Sequence, residues 1–221
     1  MKLTASWQGF SSELIGTYFL AFTFGVNSLQ HTALAPVSVG SILAALVLST
    51  GGVGARPARP AHFNPAVTLG VLLGQRQTLT VGGAVVFISG QLLGALAAGF
   101  TYCGILHASL RLKPGDGHSW WAAFIVELVF TAVLVLVVLG ATSNKDRHNQ
   151  YFGLAIGSVV IAAGFAMGNI SGCALNPALA LGVMGSDSVA TGGGFEYAGL
   201  FLSAPLLGGL TAAMFHRLFQ A

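Results

Sequence analysis

The triplet Asn64-Pro65-Ala66 recurs as Asn176-Pro177-Ala178, and each copy opens an apolar stretch too brief to cross a bilayer, set between stretches that are long enough. In both copies Asn is placed to cap a helix and Pro to begin it, because the missing N–H and preset φ of Pro suit the first helical position. Counted from each Pro, the half-helices 65–73 and 177–184 rise about 12 to 14 Å at about 1.5 Å per residue, close to half of a hydrocarbon core about 30 Å thick. One such triplet is an ordinary turn before a buried helix. Two, in matching places, describe half-helices that meet inside a membrane, and few folds accommodate that.

The rest of the chain supplies the membrane-spanning frame. Of its 221 residues, 54% are hydrophobic and 7% charged, whereas a soluble domain carries about a quarter charged residues. So few charges cannot cover a water-facing surface, and the chain reads as one membrane domain over residues 1–221. Six segments approach the roughly 20 residues that a crossing needs: 11–29, 36–52, 80–106, 121–141, 152–168 and 197–215. Hydrophilic breaks fall at 56–60, 75–77, 111–118, 143–150 and 186–194. The first segment lacks a convincing cleavage site and is read as a retained span. The net charge of +3 comes from cations scattered singly, which make no basic face for nucleic acid. Cys103 and Cys173 fit no metal or redox spacing and are read as free thiols; no cofactor or metal is expected.

With six spans the termini and the even-numbered loops share one side. That side collects Lys2, Arg56, Arg59, Arg76, Lys145, Arg147 and Arg217, and only Arg111 and Lys113 fall opposite. This bias predicts that both termini are cytoplasmic. It does not choose between a plasma membrane and an intracellular, vacuole-like one.

The halves, about 1–110 and 111–221, echo each other beyond the triplets. Glu13-x-x-x-Thr17 matches Glu127-x-x-x-Thr131 at an offset of 114, and Leu69-Gly70-Val71 matches Leu181-Gly182-Val183 at 112, the offset of the two Asn residues. Each half holds three spans and one short segment. An odd number of crossings turns the second half upside down, which gives an inverted 3+3 repeat with its functional site near the midplane. The fold expected is an all-α membrane protein of six transmembrane helices plus two re-entrant half-helices. Small-x-x-x-small pairs at Gly90/Gly94, Gly153/Gly157 and Gly164/Gly168 allow close helix approach in lipid.

Non-helical backbone at 60–63 and 172–175 is tolerated at this depth only if it is buried in protein or lines a wet cavity. A pore satisfies that condition, with backbone or side chains of Ala61, His62, Phe63, Gly172 and Ala174 along its wall. For His62, pore lining and a satisfied structural role both remain open. Two facing helix N-termini concentrate partial positive charge, about half an elementary unit each, and repel cations. The Asn64 and Asn176 amides offer donors to a passing oxygen, and the preceding carbonyls offer acceptors. Glu13 and Glu127 lie within apolar spans, and their symmetric placement favours bracing of the backbone before each half-helix over proton relay.

These residues resemble the aquaporin, or major intrinsic protein, family. The likeness covers nearly the whole chain, through Glu13-Leu-Ile-Gly-Thr-Tyr-Phe-Leu, Ala61-His-Phe-Asn-Pro-Ala-Val-Thr-Leu-Gly, Gln91-Leu-Leu-Gly-Ala, Leu154-Ala-Ile-Gly and Gly172-Cys-Ala-Leu-Asn-Pro-Ala. It implies a six-helix bundle with two re-entrant half-helices, a pore in every protomer and a homotetramer. It also implies a narrow extracellular filter, which falls here on Val39, Gly164, Cys173 and Leu179. A one-residue shift would bring Phe165 in place of Gly164. Family members usually carry Arg where this chain has Leu179, so the filter is unusually apolar.

The function expected is a passive channel for water first and for small uncharged solutes such as glycerol, urea or ammonia second, with water, those solutes and the lipid bilayer as its partners. The alternative is an ion-coupled secondary transporter, which also uses inverted repeats and broken helices. No nucleophile–base set marks an enzyme.

Overall fold

The computed structural model describes residues 6–50, 61–74, 79–141 and 151–220. Among the described residues eight helices follow in order: α1 Trp7–Leu29, α2 Ala35–Thr50, α3 Pro65–Gly74, α4 Val81–Leu106, α5 Trp120–Ala141, α6 Phe152–Ser171, α7 Pro177–Thr191 and α8 Ala198–Gln220. Helices α4, α5, α6 and α8 are each long and apolar enough to cross a membrane. Helix α1 matches them in length at 23 residues but carries more polar side chains. Helix α2, with 16 residues, ends at the edge of a described segment. Large apolar side chains such as Trp121, Ile125, Val129 and Val133 lie exposed along one face of α5, as suits a helix in lipid. Of the cations in the expected charge bias, Lys2, Arg56, Arg59, Arg76, Lys145 and Arg147 lie outside the described residues.

The six expected spans coincide with α1, α2, α4, α5, α6 and α8. Helices α3 and α7 are the two short elements that start at the Pro of each triplet. Helix α7 is longer than expected. Residues 186–191 carry Ser, Asp and Thr and read as a loop, yet they stay helical because their polar groups find partners. Ser186 Oγ donates to the Val183 carbonyl, Thr191 Oγ1 donates to the Asp187 carbonyl, and the Asp187 carboxylate accepts from Ser109 and Arg111. Gly192, with φ of 78°, then ends the helix in the left-handed region that glycine favours.

The inverted repeat is visible in the packing. α1 lies along α4 and α5 along α8, while α2 against α6 joins the halves. A Cβ on Gly94 would overlap the Leu14 carbonyl, and one on Gly208 would overlap the Leu128 carbonyl. Both glycines and both carbonyls are related by 114 residues. These close approaches let helix backbones pack without a side chain between them. Among the small-residue pairs, Gly90 meets the Phe10 backbone and Gly157 meets Gly40, whereas Gly168 has open space around it.

The glycine contacts carry a prediction. Gly94→Ala and Gly208→Ala each force two helix backbones apart and destabilise the protein by about 1–3 kcal/mol. Gly82→Ala, with nothing within 4 Å of the added carbon, leaves stability unchanged or slightly raised. Thermal unfolding in detergent distinguishes the variants; equal melting temperatures for all three would remove the close-packing argument.

Candidate functional site

At the centre of the bundle the two triplets are tied to each other. Asn64 Oδ1 accepts from the Ala66 N–H at 2.8 Å, and Asn176 Oδ1 accepts from Ala178 and Leu179 N–H at 3.0 and 3.3 Å, so each side-chain oxygen caps its own half-helix. The amide nitrogens reach across: Asn64 Nδ2 donates to the Leu175 carbonyl at 2.8 Å and Asn176 Nδ2 to the Phe63 carbonyl at 2.7 Å. An amide carries two N–H hydrogens, so one on each Asn is committed to this cross-brace and one remains. Pro65, Ala66, Pro177 and Ala178 are buried and line neither cavity described below.

The acceptor residues of the cross-brace sit in strained backbone. Phe63 and Leu175 have φ of 52° and 50°, a left-handed region that costs a non-glycine residue about 1–2 kcal/mol. A fully buried carboxylate opposes that cost in each half. Glu13 accepts from the His62 and Phe63 N–H groups at 2.8 and 2.6 Å; Glu127 accepts from Ala174 and Leu175 at 2.9 and 2.7 Å. Around this shared plan the halves differ. Gln91 Nε2 donates to Glu13 and to Thr68 Oγ1, and Thr68 also meets His62 Nδ1 at 3.1 Å. In the second half, Ser171 Oγ donates to Glu127. Thr17 and Thr131, which share helix faces with the glutamates, are buried without a hydrogen-bond partner among the described residues.

A narrow cavity of about 40 Å³ runs past both Asn side chains. It is lined by Ala61, His62, Cys173, Ala174 and Leu179, but mostly by apolar side chains: Leu20 and Phe24 of α1, Val39, Leu43 and Val47 of α2, Leu134 and Val138 of α5, and Ile156 and Val160 of α6. A second cavity of about 510 Å³ forms a wide vestibule bounded by the α1–α2 turn, the segment Leu110–Lys113 and the end of α6. Phe24, Val39, Val160 and Cys173 line both cavities and so mark their junction.

The family model for the major intrinsic protein matches residues 59–216. The chain belongs to the major intrinsic protein family. It is similar to Aquaporin A of Dictyostelium discoideum, 31% identical over 98% of this chain and 80% of that protein, and to Aquaporin NIP2-1 of Arabidopsis thaliana, 29% identical over 97% and 76%. It is also similar to Aquaporin AqpM of Methanothermobacter thermautotrophicus, 28% identical over 93% of this chain and 94% of that protein. Its fold matches the X-ray structure of the aquaglyceroporin from Plasmodium falciparum, with a TM-score of 0.81, 23% identity and 95% coverage of each chain. As a major intrinsic protein the chain is an integral membrane channel and not an enzyme.

Within this major intrinsic protein the four expected filter positions are spread over the two cavities and their junction. Val39 and Cys173 lie at the junction and Leu179 lines the narrow cavity, but Gly164 lines only the vestibule. A Cβ on Gly164 would meet Pro36 Cβ at 2.7 Å, so its bare face is turned to α2. Phe165 also lines the vestibule and is exposed. The α6 residue at the junction is Val160, four positions earlier, roughly one helical turn lower. Two residues expected along the pore wall lie away from the narrow cavity. Gly172 belongs to the vestibule wall. Phe63 lines neither cavity: its ring fills the space beside Gly16 of α1, and its carbonyl is held by Asn176.

One cluster at the vestibule was not singled out from the sequence. Asp187 of α7, almost fully buried, accepts from Ser109 Oγ at 2.7 Å and Arg111 Nε at 2.8 Å, and Arg111 Nη2 donates to Thr191 Oγ1 at 2.8 Å. Glu196 approaches Arg111 at 3.5 Å. The hydrogen bond and charge of Asp187 raise the Arg111 pKa above its ordinary value. The cluster fastens the α4–α5 connection to the far end of α7. Its only signal in the sequence was an isolated acid within a segment that read as a loop.

Proposed function

We propose that this major intrinsic protein is a passive channel that conducts water, with small uncharged solutes second. The observation that carries the reading is the pair of Asn side chains on one narrow cavity, each with an N–H hydrogen left over from the cross-brace. About 10–15 Å³ of such volume holds one water, so a cavity of about 40 Å³ holds a short single file. Each Asn turns that leftover donor to a passing water oxygen. The two half-helix N-termini add partial positive charge of about half a unit each at the same level, which repels cations while neutral molecules pass. Glu13 and Glu127 spend their oxygens on backbone N–H groups, which argues against a coupling-ion site and hence against the transporter alternative.

The vestibule opens to the extracellular or luminal side in this reading, with both termini cytoplasmic by the positive-inside bias, in a plasma membrane or a vacuole-like one. The protomers assemble as homotetramers, each with its own pore. Stopped-flow light scattering on proteoliposomes under an osmotic gradient tests the proposal. Shrinkage several-fold faster than in empty liposomes is expected, and equal rates would sink the water-channel reading.

A further inference from the structure

The two halves of the lumen differ in hydrogen-bonding chemistry far more than the repeat requires. On the side of the first half-helix the wall is backed by a connected polar network. Thr68 Oγ1 donates its single hydrogen to the Asn64 carbonyl and accepts from Gln91 Nε2, so the contact with His62 Nδ1 is donated by the ring. That assignment leaves His62 Nε2 as an acceptor on a residue that lines the cavity. The repeat partners of this network are apolar. The offset of 112 carries Thr68 to Ala180, and the offset of 114 carries Gln91 to Pro205. Among the described residues, the side chains where the narrow cavity meets the vestibule are Phe24, Val39, Val160 and Cys173, with Leu179 on the narrow side, and the Cys173 thiol is the one polar side-chain group of this set.

We infer that this apolar outer stretch sorts neutral solutes by the hydrogen bonds they must leave unmade, admitting small molecules with few such groups and rejecting polyols. The inference rests on the channel reading above and names the solute class of that same pore. A thiol is a weak donor, so a hydroxyl or carbonyl oxygen stripped of water here meets no strong side-chain donor. An unmatched group costs about tenfold in the population of the crossing state. Water escapes this penalty because neighbours in a single file bond to each other across a short apolar stretch. Glycerol, too large to keep such neighbours beside it, cannot.

The test compares glycerol with the propanediol that lacks its central hydroxyl, a molecule of nearly the same size. Permeability is read as the excess over empty liposomes by stopped-flow, with water measured on the same preparation. The diol is expected to exceed glycerol about tenfold. Leu179→Gln places a donor in the outer stretch at similar volume and is expected to bring the ratio toward one by raising glycerol flux. With water flux present, glycerol equal to or above the diol in the wild type overturns the inference, as does the absence of excess diol flux. A ratio unmoved in a water-conducting Leu179→Gln also overturns it. Water, diol and glycerol all at the level of empty liposomes would instead overturn the channel reading itself. Should the variant not fold, the wild-type ratio alone decides.

Discussion

Glu127→Ala is expected to remove both the stable fold and the water flux. The substitution strips the acceptor from Ala174 N–H, Leu175 N–H and the Ser171 hydroxyl in a site with no exposure. A buried donor left without a partner costs about 1–3 kcal/mol, so three together cost about 3–9 kcal/mol, a large share of the roughly 5–15 kcal/mol that holds a typical protein folded. The loss is compounded by geometry. Leu175 keeps its left-handed φ only while its N–H is held, and its carbonyl is the acceptor for Asn64 of the opposite triplet. Releasing Glu127 therefore loosens both half-helices. Glu127→Gln retains one carbonyl acceptor but turns an NH2 group toward a backbone N–H, and an intermediate effect is expected. Glu13→Ala should match Glu127→Ala, because it frees two backbone N–H groups and the Gln91 amide. Melting temperature in detergent and water flux per mole of reconstituted protein read the outcome. A Glu127→Ala protein with unchanged melting and flux would falsify the bracing role.

Much of this plan is legible in the sequence because it rests on paired features. Glu13 and Glu127, and Asn64 and Asn176, are polar residues in apolar surroundings, and each recurs at a fixed offset, so a repeat explains what no single copy could. The lumen wall is a different case. Leu20/Phe24, Val39/Leu43/Val47, Leu134/Val138 and Ile156/Val160 line the cavity at intervals of four, and an apolar stripe with that spacing has the same pattern whether it faces a pore or a packed core. That spacing gives no sign that Val160 lies where the two cavities meet, and Gly164, the position that the family likeness assigns on this helix, lies about one turn further on, in the vestibule wall. Phe63 is a further case. It lies in the loop that enters the pore, but its left-handed φ turns the ring into the bundle beside Gly16, and no sequence pattern announces φ for a phenylalanine. The Asp187 clamp depends on residues 76 and 78 positions apart in the chain, beyond the reach of any local motif.

Leu179→Arg is expected to narrow conduction to water alone. Leu179 is 2% exposed and lines the narrow cavity beside the junction, so a longer side chain there must enter the lumen or climb toward the vestibule. An unpaired guanidinium in an apolar wall would cost several kcal/mol. The favourable path runs its methylenes along Val39 and Val160 and leaves the charged head at the vestibule water, as long basic side chains do at apolar boundaries. In that position it adds bulk, donors and a fixed positive charge at the junction, whereas Leu179→Gln adds donors at nearly constant volume. The two substitutions should therefore part company. Gln raises glycerol flux, while Arg lowers the excess flux of propanediol, urea and glycerol by about tenfold or more, a barrier increase of about 1.4 kcal/mol or more, and leaves water flux within a few-fold of wild type. Stopped-flow measurements of all four permeants on one set of proteoliposomes separate these outcomes. A solute profile unchanged by Arg, in protein that still conducts water, shows that residue 179 does not form the filter and moves the selective barrier to the ring of Phe24, Val39, Val160 and Cys173.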